Sequence, residues 1–425
     1  MLPSYLFVAF ILIITSLQIY LANRQIKHIF VNYLSVPAEF SQHTNLAQHQ
    51  KSSKYNVAKL KMNIAEYITE TAVLVFFTLL GGLQFIDTYL SNNIQNEYLY
   101  AISLFACVFG ISSIIGLPFA YIKQFKIEQK FGFNNMTIGL FISDSIKQII
   151  LSAVLLLPLL SLALMLFKQH YGWLYVWGIW IGFNILMLMI YPKYLAPIFN
   201  KFTQLDKNKY HDLILRINTL FNSANFQLTD ILVMDGSKRS SHGNAYFTGF
   251  GKSKRIVFFD TLLNNINENQ TLAILAHELG HLAHKHILKR LISSFGLSFI
   301  FFYAIHLLYD YFPFYQFMGA IPHLFGITSI HSNYPLLLVL LLLIMPYISF
   351  IFTPIASLSS RKHEFEADRF AVKNTNAQDL TSALISLYND NASMFTNDDL
   401  YAKFYYSHPP ASERIKAINL SAVNI

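Results

Sequence analysis

The sequence predicts a mainly α-helical membrane protein with about seven transmembrane helices. Of its 425 residues, 54% are hydrophobic and only 13% are charged, and this charged share is roughly half that of a soluble chain. Several segments also approach the roughly 20 apolar residues that a helix needs to cross a bilayer. They are residues 2–22, 64–85, 99–122, 149–167, 173–190, 291–311 and 335–356. We therefore expect much of the protein surface to face lipid.

Positive charge is distributed unevenly among the loops that connect these spans. Short loops rich in Lys and Arg remain on the cytoplasmic side of a membrane. Such loops follow the first span and separate the third from the fourth, whereas residues 86–98 and 311–334 contain neither Lys nor Arg. Lys168 alone breaks the alternation. The bias predicts an amino terminus outside the cytoplasm, or in the lumen, and a cytoplasmic carboxyl terminus.

The remaining composition excludes several classes of protein. The net charge of +8 does not indicate a nucleic-acid partner, because the basic residues lie between apolar runs and no aromatic and basic binding module is present. The lipid bilayer is the expected environment instead. The single cysteine, Cys107, lies in an apolar run, which excludes an intrachain disulfide or a cysteine metal cluster within one chain.

These patterns divide the chain into four parts. Residues 1–191 hold five spans with cytoplasmic loops, residues 192–290 form a first cytoplasmic part, residues 291–358 hold two more spans, and residues 359–425 form a second cytoplasmic part. The first cytoplasmic part has both helical and strand periodicity. Its predicted elements are a helix at 208–221, a strand at 231–234, a β-hairpin at 244–250 and 256–259, and an amphipathic helix at 267–288.

The amphipathic helix carries the segment His277-Glu278-Leu279-Gly280-His281. Two histidines four residues apart lie on one face of a helix, one turn apart, and can bind a single Zn²⁺ through neutral nitrogens. Glu278 lies beside them, where a carboxylate can take a proton from the attacking water and pass it to the leaving amine. Taken alone, the motif leaves open a structural interpretation in which both histidines are hydrogen-bonded at the membrane surface.

A catalytic zinc site needs a third protein ligand and an open position. One class of site takes a histidine six residues after the second, but that position is Ile287. Another class takes a glutamate from a separate helix, and Glu364 follows the last span. We expect Glu364 to be the third ligand. Asp368 lies one turn further on and can hold a ligand histidine through its second ring nitrogen.

Three nearby residues are weaker candidates. Glu366 points to a different side of the same predicted helix and is the less favoured carboxylate. His284 and His286 follow the motif and are alternative ligands, although histidines in such positions are more often solvated or bonded to backbone.

Further segments distributed over nearly the whole chain complete the pattern. They are Lys130-Phe131-Gly132-Phe133-Asn134, Tyr191-Pro192-Lys193-Tyr194-Leu195-Ala196-Pro197, Asn244-Ala245-Tyr246-Phe247 with residues 255–262, and Tyr406-Ser407-His408-Pro409-Pro410. With the zinc motif and residues 364–368, they resemble the type I CAAX prenyl endopeptidases. These are integral-membrane zinc proteases that process prenylated yeast a-factor and prelamin A.

The resemblance implies a fold and a set of site residues. About seven helices would enclose a chamber, with a gluzincin-like α+β protease domain on the cytoplasmic side. One Zn²⁺ per chain would be bound by His277, His281 and Glu364, with Glu278 as the catalytic base. His408 and Arg414 match substrate-facing residues that stabilise the oxyanion or bind substrate carbonyl groups. The residues expected to pair with an extended substrate are Asn244, Ala245, Tyr246 and Phe247.

Substrate and compartment stay open at this point. The substrate is a peptide or protein, prenylated or embedded in the membrane, and the location is a bacterial inner membrane or the endoplasmic reticulum membrane. Quality-control proteolysis of membrane proteins is the alternative to CAAX-type processing. A channel or scaffold with a structural metal belongs to a different class, but structural zinc usually has four protein ligands and needs no base such as Glu278.

Overall fold

The computed structural model describes residues 2–249, 253–309, 311 and 334–423. Residues 250–252, which include the first half of the predicted hairpin turn at 251–254, lie outside the described residues. So does most of the segment without Lys or Arg at 311–334. Helices dominate the described part of the chain, as the apolar runs predict. The main helices of the first half are α1 (Leu2–Val31), α2 (Leu46–Phe77), α3 (Gly82–Asn93), α4 (Glu97–Ile122), α5 (Ile138–Phe167) and α6 (Gly172–Ile190).

The second half combines a small sheet with more helices. The predicted helix at 208–221 and strand at 231–234 are both confirmed, with boundaries shifted by a few residues. The elements are β1 (Phe202–Gln204), α7 (His211–Ser223), β2 (Gln227–Met234), β3 (Ala245–Thr248), β4 (Ser253–Phe259), α8 (Asp260–Asn265), α9 (Glu268–Ala283), α10 (His286–Leu308), α11 (Tyr334–Asn374), α12 (Ala377–Asp390), α13 (Asp399–Tyr405) and α14 (Ala411–Val423).

Within the described residues, 6 helices are each long and apolar enough to cross a membrane. α2 and α3 are not among them, but the two together pass the same test, which gives 7 spans if this bent pair counts as one. The sequence predicts that second span as a single helix at 64–85, but the structure bends it by 46°. Gly81 has a left-handed backbone with φ of 76°, and a Cβ on Gly82 would lie 2.8 Å from the carbonyl oxygen of Phe76. Two glycines thus permit a turn that the apolar pattern does not reveal.

The last span and the segment after it form one continuous helix. α11 has 41 residues and is therefore about 60 Å long, roughly twice the hydrocarbon thickness of a bilayer. Residues 336–341 are all buried, and α1, α4, α5 and α10 pack against this helix. The predicted span ends at residue 356, but residues 357–374 contain neither Gly nor Pro, so nothing local stops the helix.

The four strands form a single sheet in the order β1-β2-β4-β3. β2 and β4 run parallel, whereas β3 pairs antiparallel with β4, with Ala245 opposite Phe258. This pairing confirms the predicted hairpin. β3 is the edge strand of the described sheet, and α9 packs beside it. An edge strand presents backbone groups with which another extended chain can pair.

The helix predicted at 267–288 is interrupted before its end. It begins as predicted because Asn267 and Gln270 form a capping box, in which each side chain accepts a hydrogen bond from the backbone N–H of the other. α9 ends at Ala283, Lys285 adopts a left-handed φ of 57°, and α10 begins at His286. The left-handed residue interrupts the helix, so His286 does not continue the helical face of α9.

Two sets of side-chain and backbone contacts connect the membrane helices to the second half of the chain. Near the end of α1, the Arg24 guanidinium donates to the carboxylate of Asp398 with an Nη2–Oδ2 distance of 2.8 Å. After α4, the Phe133 ring stacks on the His242 imidazole with centroids 4.5 Å apart, and Asn134 forms a bridge with Ser240. The segment around Phe133 therefore holds the loop that leads into β3.

Candidate metal centre

The candidate ligands meet where α9 crosses α11. A Cβ added to Gly280 would lie 2.9 Å from the Cα of Ala367 and 3.1 Å from its carbonyl oxygen. Only glycine allows this approach of the two backbones. Residues on either side of Gly280 and Ala367 are thereby brought within reach of each other, and these include both histidines of α9 and the carboxylates of α11.

Three side chains converge beside this crossing. His277 Nε2 lies 3.2 Å from His281 Nε2 and 3.4 Å from Glu364 Oε2. His281 Nε2 lies 3.3 Å from Glu364 Oε1. Tetrahedral zinc with ligands at roughly 2.0–2.2 Å holds them about 3.3 Å apart. The separations therefore fit a zinc-sized cation, and within the described ranges these three residues are the group that could hold one.

The surroundings of Glu364 also indicate a cation. Glu364 is 3% exposed, and its Oε2 accepts no hydrogen bond of good geometry from any described residue, although His408 Nδ1 is 2.7 Å away. A buried carboxylate oxygen without a hydrogen bond is costly. A metal ion at this position would satisfy it, so the residues fit the metal that the motif predicts.

His277 is held from its other side by Asp368, as the sequence predicts. His277 Nδ1 lies 2.8 Å from Asp368 Oδ1, which leaves Nε2 to face Glu364. Burial disfavours the charged imidazolium, but the Asp368 and Glu364 carboxylates outweigh it and raise the pKa of His277 to about 9. The site thus favours positive charge, as a metal-binding site must.

The remaining catalytic candidates take different positions. Glu278 is half-buried, and no residue in the described part forms a hydrogen bond or ion pair with its carboxylate. His408 is 60% exposed at its side chain and contacts Glu364 from the open side. Glu278 is therefore free to meet a water molecule, whereas His408 is exposed to solvent but paired with Glu364.

Arg414, to which the resemblance assigns a substrate-facing role, is bonded to Asp368 in the structure. It is buried, and its Nε and Nη2 donate to the two oxygens of Asp368 at 2.9 and 2.6 Å. Its Nη1 is 3.6 Å from Glu364 Oε2. The guanidinium thus lies behind the ligands, where it holds Asp368 in place.

His286 and Glu366, two of the weaker candidates, are linked to the centre through His281. His286 is fully buried, its Nδ1 lies 2.9 Å from His281 Nδ1, and its Nε2 lies 2.9 Å from Glu366 Oε2. It is neither solvated nor bonded to backbone. No helical spacing reveals this contact, because it depends on the turn at Lys285. His284 does not join the ligand group.

The predicted substrate strand lies at the edge of the sheet. Ala245, Tyr246 and Phe247 belong to β3, and Asn244 precedes it and accepts a hydrogen bond from the backbone N–H of Phe259. α9, which carries the two histidines, packs beside β3. The outer edge of β3 in the described sheet therefore lies on a strand that packs against the helix carrying two of the candidate metal ligands.

Two family models match this chain. The model described as CAAX prenyl protease N-terminal, five membrane helices, matches residues 25–201. The model described as peptidase family M48 matches residues 207–421, which is half of the chain. The chain belongs to the type I CAAX prenyl protease family. It is thus an integral-membrane metalloendopeptidase of the CAAX-processing type, and its substrates are peptides or proteins.

Individual relatives of this protease cover almost its whole length. It is 33% identical to the CAAX prenyl protease 1 homolog of Mus musculus, over 94% of this chain and 92% of that protein. It is 32% identical to CAAX prenyl protease 1 of Saccharomyces cerevisiae, over 95% of this chain and 92% of that protein. A crystal structure of S. mikatae Ste24p has 32% identity and a TM-score of 0.88, covering 98% of this chain and 99% of that one. The membrane helices and the metalloprotease part therefore share one known fold.

Proposed function

We propose that this protease uses one Zn²⁺ to cleave peptide bonds near the prenylated carboxyl terminus of membrane-bound peptides. The observation that carries the proposal is the set of 3.2 to 3.4 Å separations among His277 Nε2, His281 Nε2 and the Glu364 carboxylate. Those residues would hold the ion, which would polarise the scissile carbonyl and acidify water. Two neutral nitrogens and one carboxylate are a donor set typical of catalytic zinc.

The side chains around the ligands supply the proton transfers and the charge stabilisation. Glu278 takes a proton from the attacking water and delivers it to the nitrogen of the leaving amine. His408, exposed on the open side of Glu364, donates to the carbonyl oxygen as negative charge develops there. Arg414 acts indirectly, because it fixes Asp368, and Asp368 in turn fixes His277.

The substrate lies extended along the edge of the sheet. Its backbone pairs with residues 244–247 by strand addition, which positions one peptide bond beside the metal centre. The lipid group and the membrane-embedded part of the substrate stay among the spans, which enclose a chamber. The protease parts at 192–290 and 359–425 face the cytoplasm, in the endoplasmic reticulum membrane or a bacterial inner membrane.

A cleavage assay with purified protein tests this function. Glu278→Gln should lower kcat on a fluorogenic prenylated peptide about 10²- to 10⁴-fold while zinc content stays at one ion per chain. Glu268→Gln changes the same residue type in the first turn of α9 and should leave kcat unchanged. Full activity in Glu278→Gln would refute the assignment of the base.

The same assay separates the two substrate classes. A prenylated peptide should be cleaved far faster than its unprenylated counterpart and than an unfolded membrane protein. Equal rates on all three would support quality-control proteolysis instead. A protein that binds zinc and cleaves none of them would support a structural metal.

A further inference from the structure

His286 and Glu366 form a hydrogen-bonded chain behind the second histidine of the motif. His281 Nδ1 and His286 Nδ1 are 2.9 Å apart, and His286 Nε2 and Glu366 Oε2 are also 2.9 Å apart. His286 is fully buried. Burying an imidazole without hydrogen-bond partners would be unfavourable, and here both of its nitrogens have one.

The positions of the protons follow from the roles of the nitrogens. His281 Nε2 faces His277 and Glu364, so a metal ligand at that atom leaves the ring proton on Nδ1. Nδ1 then donates to His286 Nδ1, which must carry no proton. The proton of His286 is therefore on Nε2 and donates to Glu366. Each donor has one acceptor, and the chain ends on a carboxylate.

The geometry of α11 explains why an imidazole lies between His281 and the carboxylate. Asp368 is four residues after Glu364 and shares its side of the helix, so it reaches His277 directly at 2.8 Å. Glu366 is only two residues after Glu364, which is about 200° around the helix. His286 bridges the resulting gap, and the His363 ring stacks on it with centroids 4.0 Å apart.

From these contacts we infer that His286 and Glu366 are positioning residues for His281, as Asp368 and Arg414 are for His277. The inference rests on the metal site of the proposed function. Both ligand histidines are then fixed in the tautomer and ring orientation that present Nε2. Partners of this kind typically change metal affinity 10- to 100-fold when they are removed.

Zinc affinity of the full-length protein in detergent, measured against a chromophoric chelator, tests this role directly. His286→Leu and Glu366→Leu should each weaken Zn²⁺ binding about 10- to 100-fold. Glu366→Gln should stay within about threefold of the wild type, because its amide oxygen still accepts from His286 Nε2. The double variant should bind no more weakly than His286→Leu, since one break already interrupts the chain.

The matched control is His284→Leu. The ring centroids of His284 and His286 are 5.6 Å apart, but His284 is outside the hydrogen-bonded chain. Loss of the His284 imidazole should therefore leave zinc affinity unchanged. Absorption spectra of the Co²⁺-loaded variants report ligand geometry. Loss of His286 or Glu366 should shift the Co²⁺ bands, whereas loss of His284 should not. If His286→Leu fails to fold, Glu366→Leu decides the test, because the Glu366 side chain is 19% exposed.

The outcomes separate this inference from the proposed function. A wild-type protein that binds no Zn²⁺, or a His281→Ala variant that binds it equally tightly, would overturn both. Tight wild-type binding that His281→Ala abolishes, together with unchanged affinity and Co²⁺ spectra in His286→Leu and Glu366→Leu, would overturn the positioning role alone.

Discussion

At the scale of single residues, the close approach at Gly280 determines whether the ligands can meet. Gly280→Ala places a Cβ 2.9 Å from the backbone of Ala367, so α9 and α11 must move apart. We expect about 1–3 kcal/mol of destabilisation and at least a tenfold loss of zinc affinity. Thermal unfolding and chelator competition measure the two effects.

The control for this substitution is Gly296→Ala in α10. A Cβ at Gly296 would have no atom within 4 Å among the residues that the structure describes. Alanine there should be neutral or slightly stabilising, because glycine is a poor helix former. Equal zinc affinity in both variants would show that the backbone contact at Gly280 does not set the ligand geometry.

Arg414 offers a test between a substrate-facing role and a supporting one. Arg414→Lys keeps the charge but cannot reproduce the two hydrogen bonds to Asp368. Because Asp368 holds His277, zinc affinity should fall about tenfold, whereas KM at saturating zinc should change less than threefold. Arg216→Lys on the exposed face of α7 should change neither. A large rise in KM with normal zinc affinity would favour direct contact with substrate.

The sequence predicts part of this centre because part of it follows helical spacing. His277 and His281 are four residues apart on α9, and Glu364 and Asp368 are four residues apart on α11, so each pair lies on one face of its helix. The structure brings the four side chains together. His286 could not be predicted, since its place depends on a left-handed residue between two helices. The same turn gives Glu366 its partner.

At the scale of elements, the turn between α9 and α10 depends on Lys285. A left-handed conformation costs a residue with a β-branched side chain more than it costs lysine, and it costs glycine almost nothing. Lys285→Val should therefore lower the free energy of unfolding by about 1–2 kcal/mol. It should also weaken zinc binding, because His286 follows directly. Lys285→Gly should keep both the free energy of unfolding and the zinc affinity, as measured by thermal unfolding and chelator competition. A loss of either in the glycine variant would contradict the role of the left-handed turn.

Helix boundaries are harder to predict than the presence of helices. Apolar runs give every described span its approximate position, because lipid requires long stretches without charge. They do not show where a helix continues into polar sequence, as α11 does to Asn374, or where glycines bend it, as at Gly81. Hydropathy measures transfer to lipid, whereas these features depend on local backbone conformation.

At the scale of the whole molecule, the charge bias predicts the orientation in the membrane. In a Cys107→Ala background, which removes the only cysteine of the sequence, single cysteines can be placed at the exposed Ser41 and Ser91. In intact cells or sealed vesicles of known orientation, a membrane-impermeant maleimide should label Ser91→Cys from the non-cytoplasmic side. Ser41→Cys should react only after the membrane is opened. The reverse pattern would invert the predicted topology.

The continuity of α11 restricts how this protein can change during evolution. Insertions and deletions are usually tolerated in loops, but no loop separates the buried residues 336–341 from Glu364 in this helix. One residue gained or lost between them would turn Glu364 by about 100° and shift it by about 1.5 Å relative to the membrane core. The carboxylate would then face away from both histidines. The number of residues in this stretch should therefore be as invariant as the ligand itself.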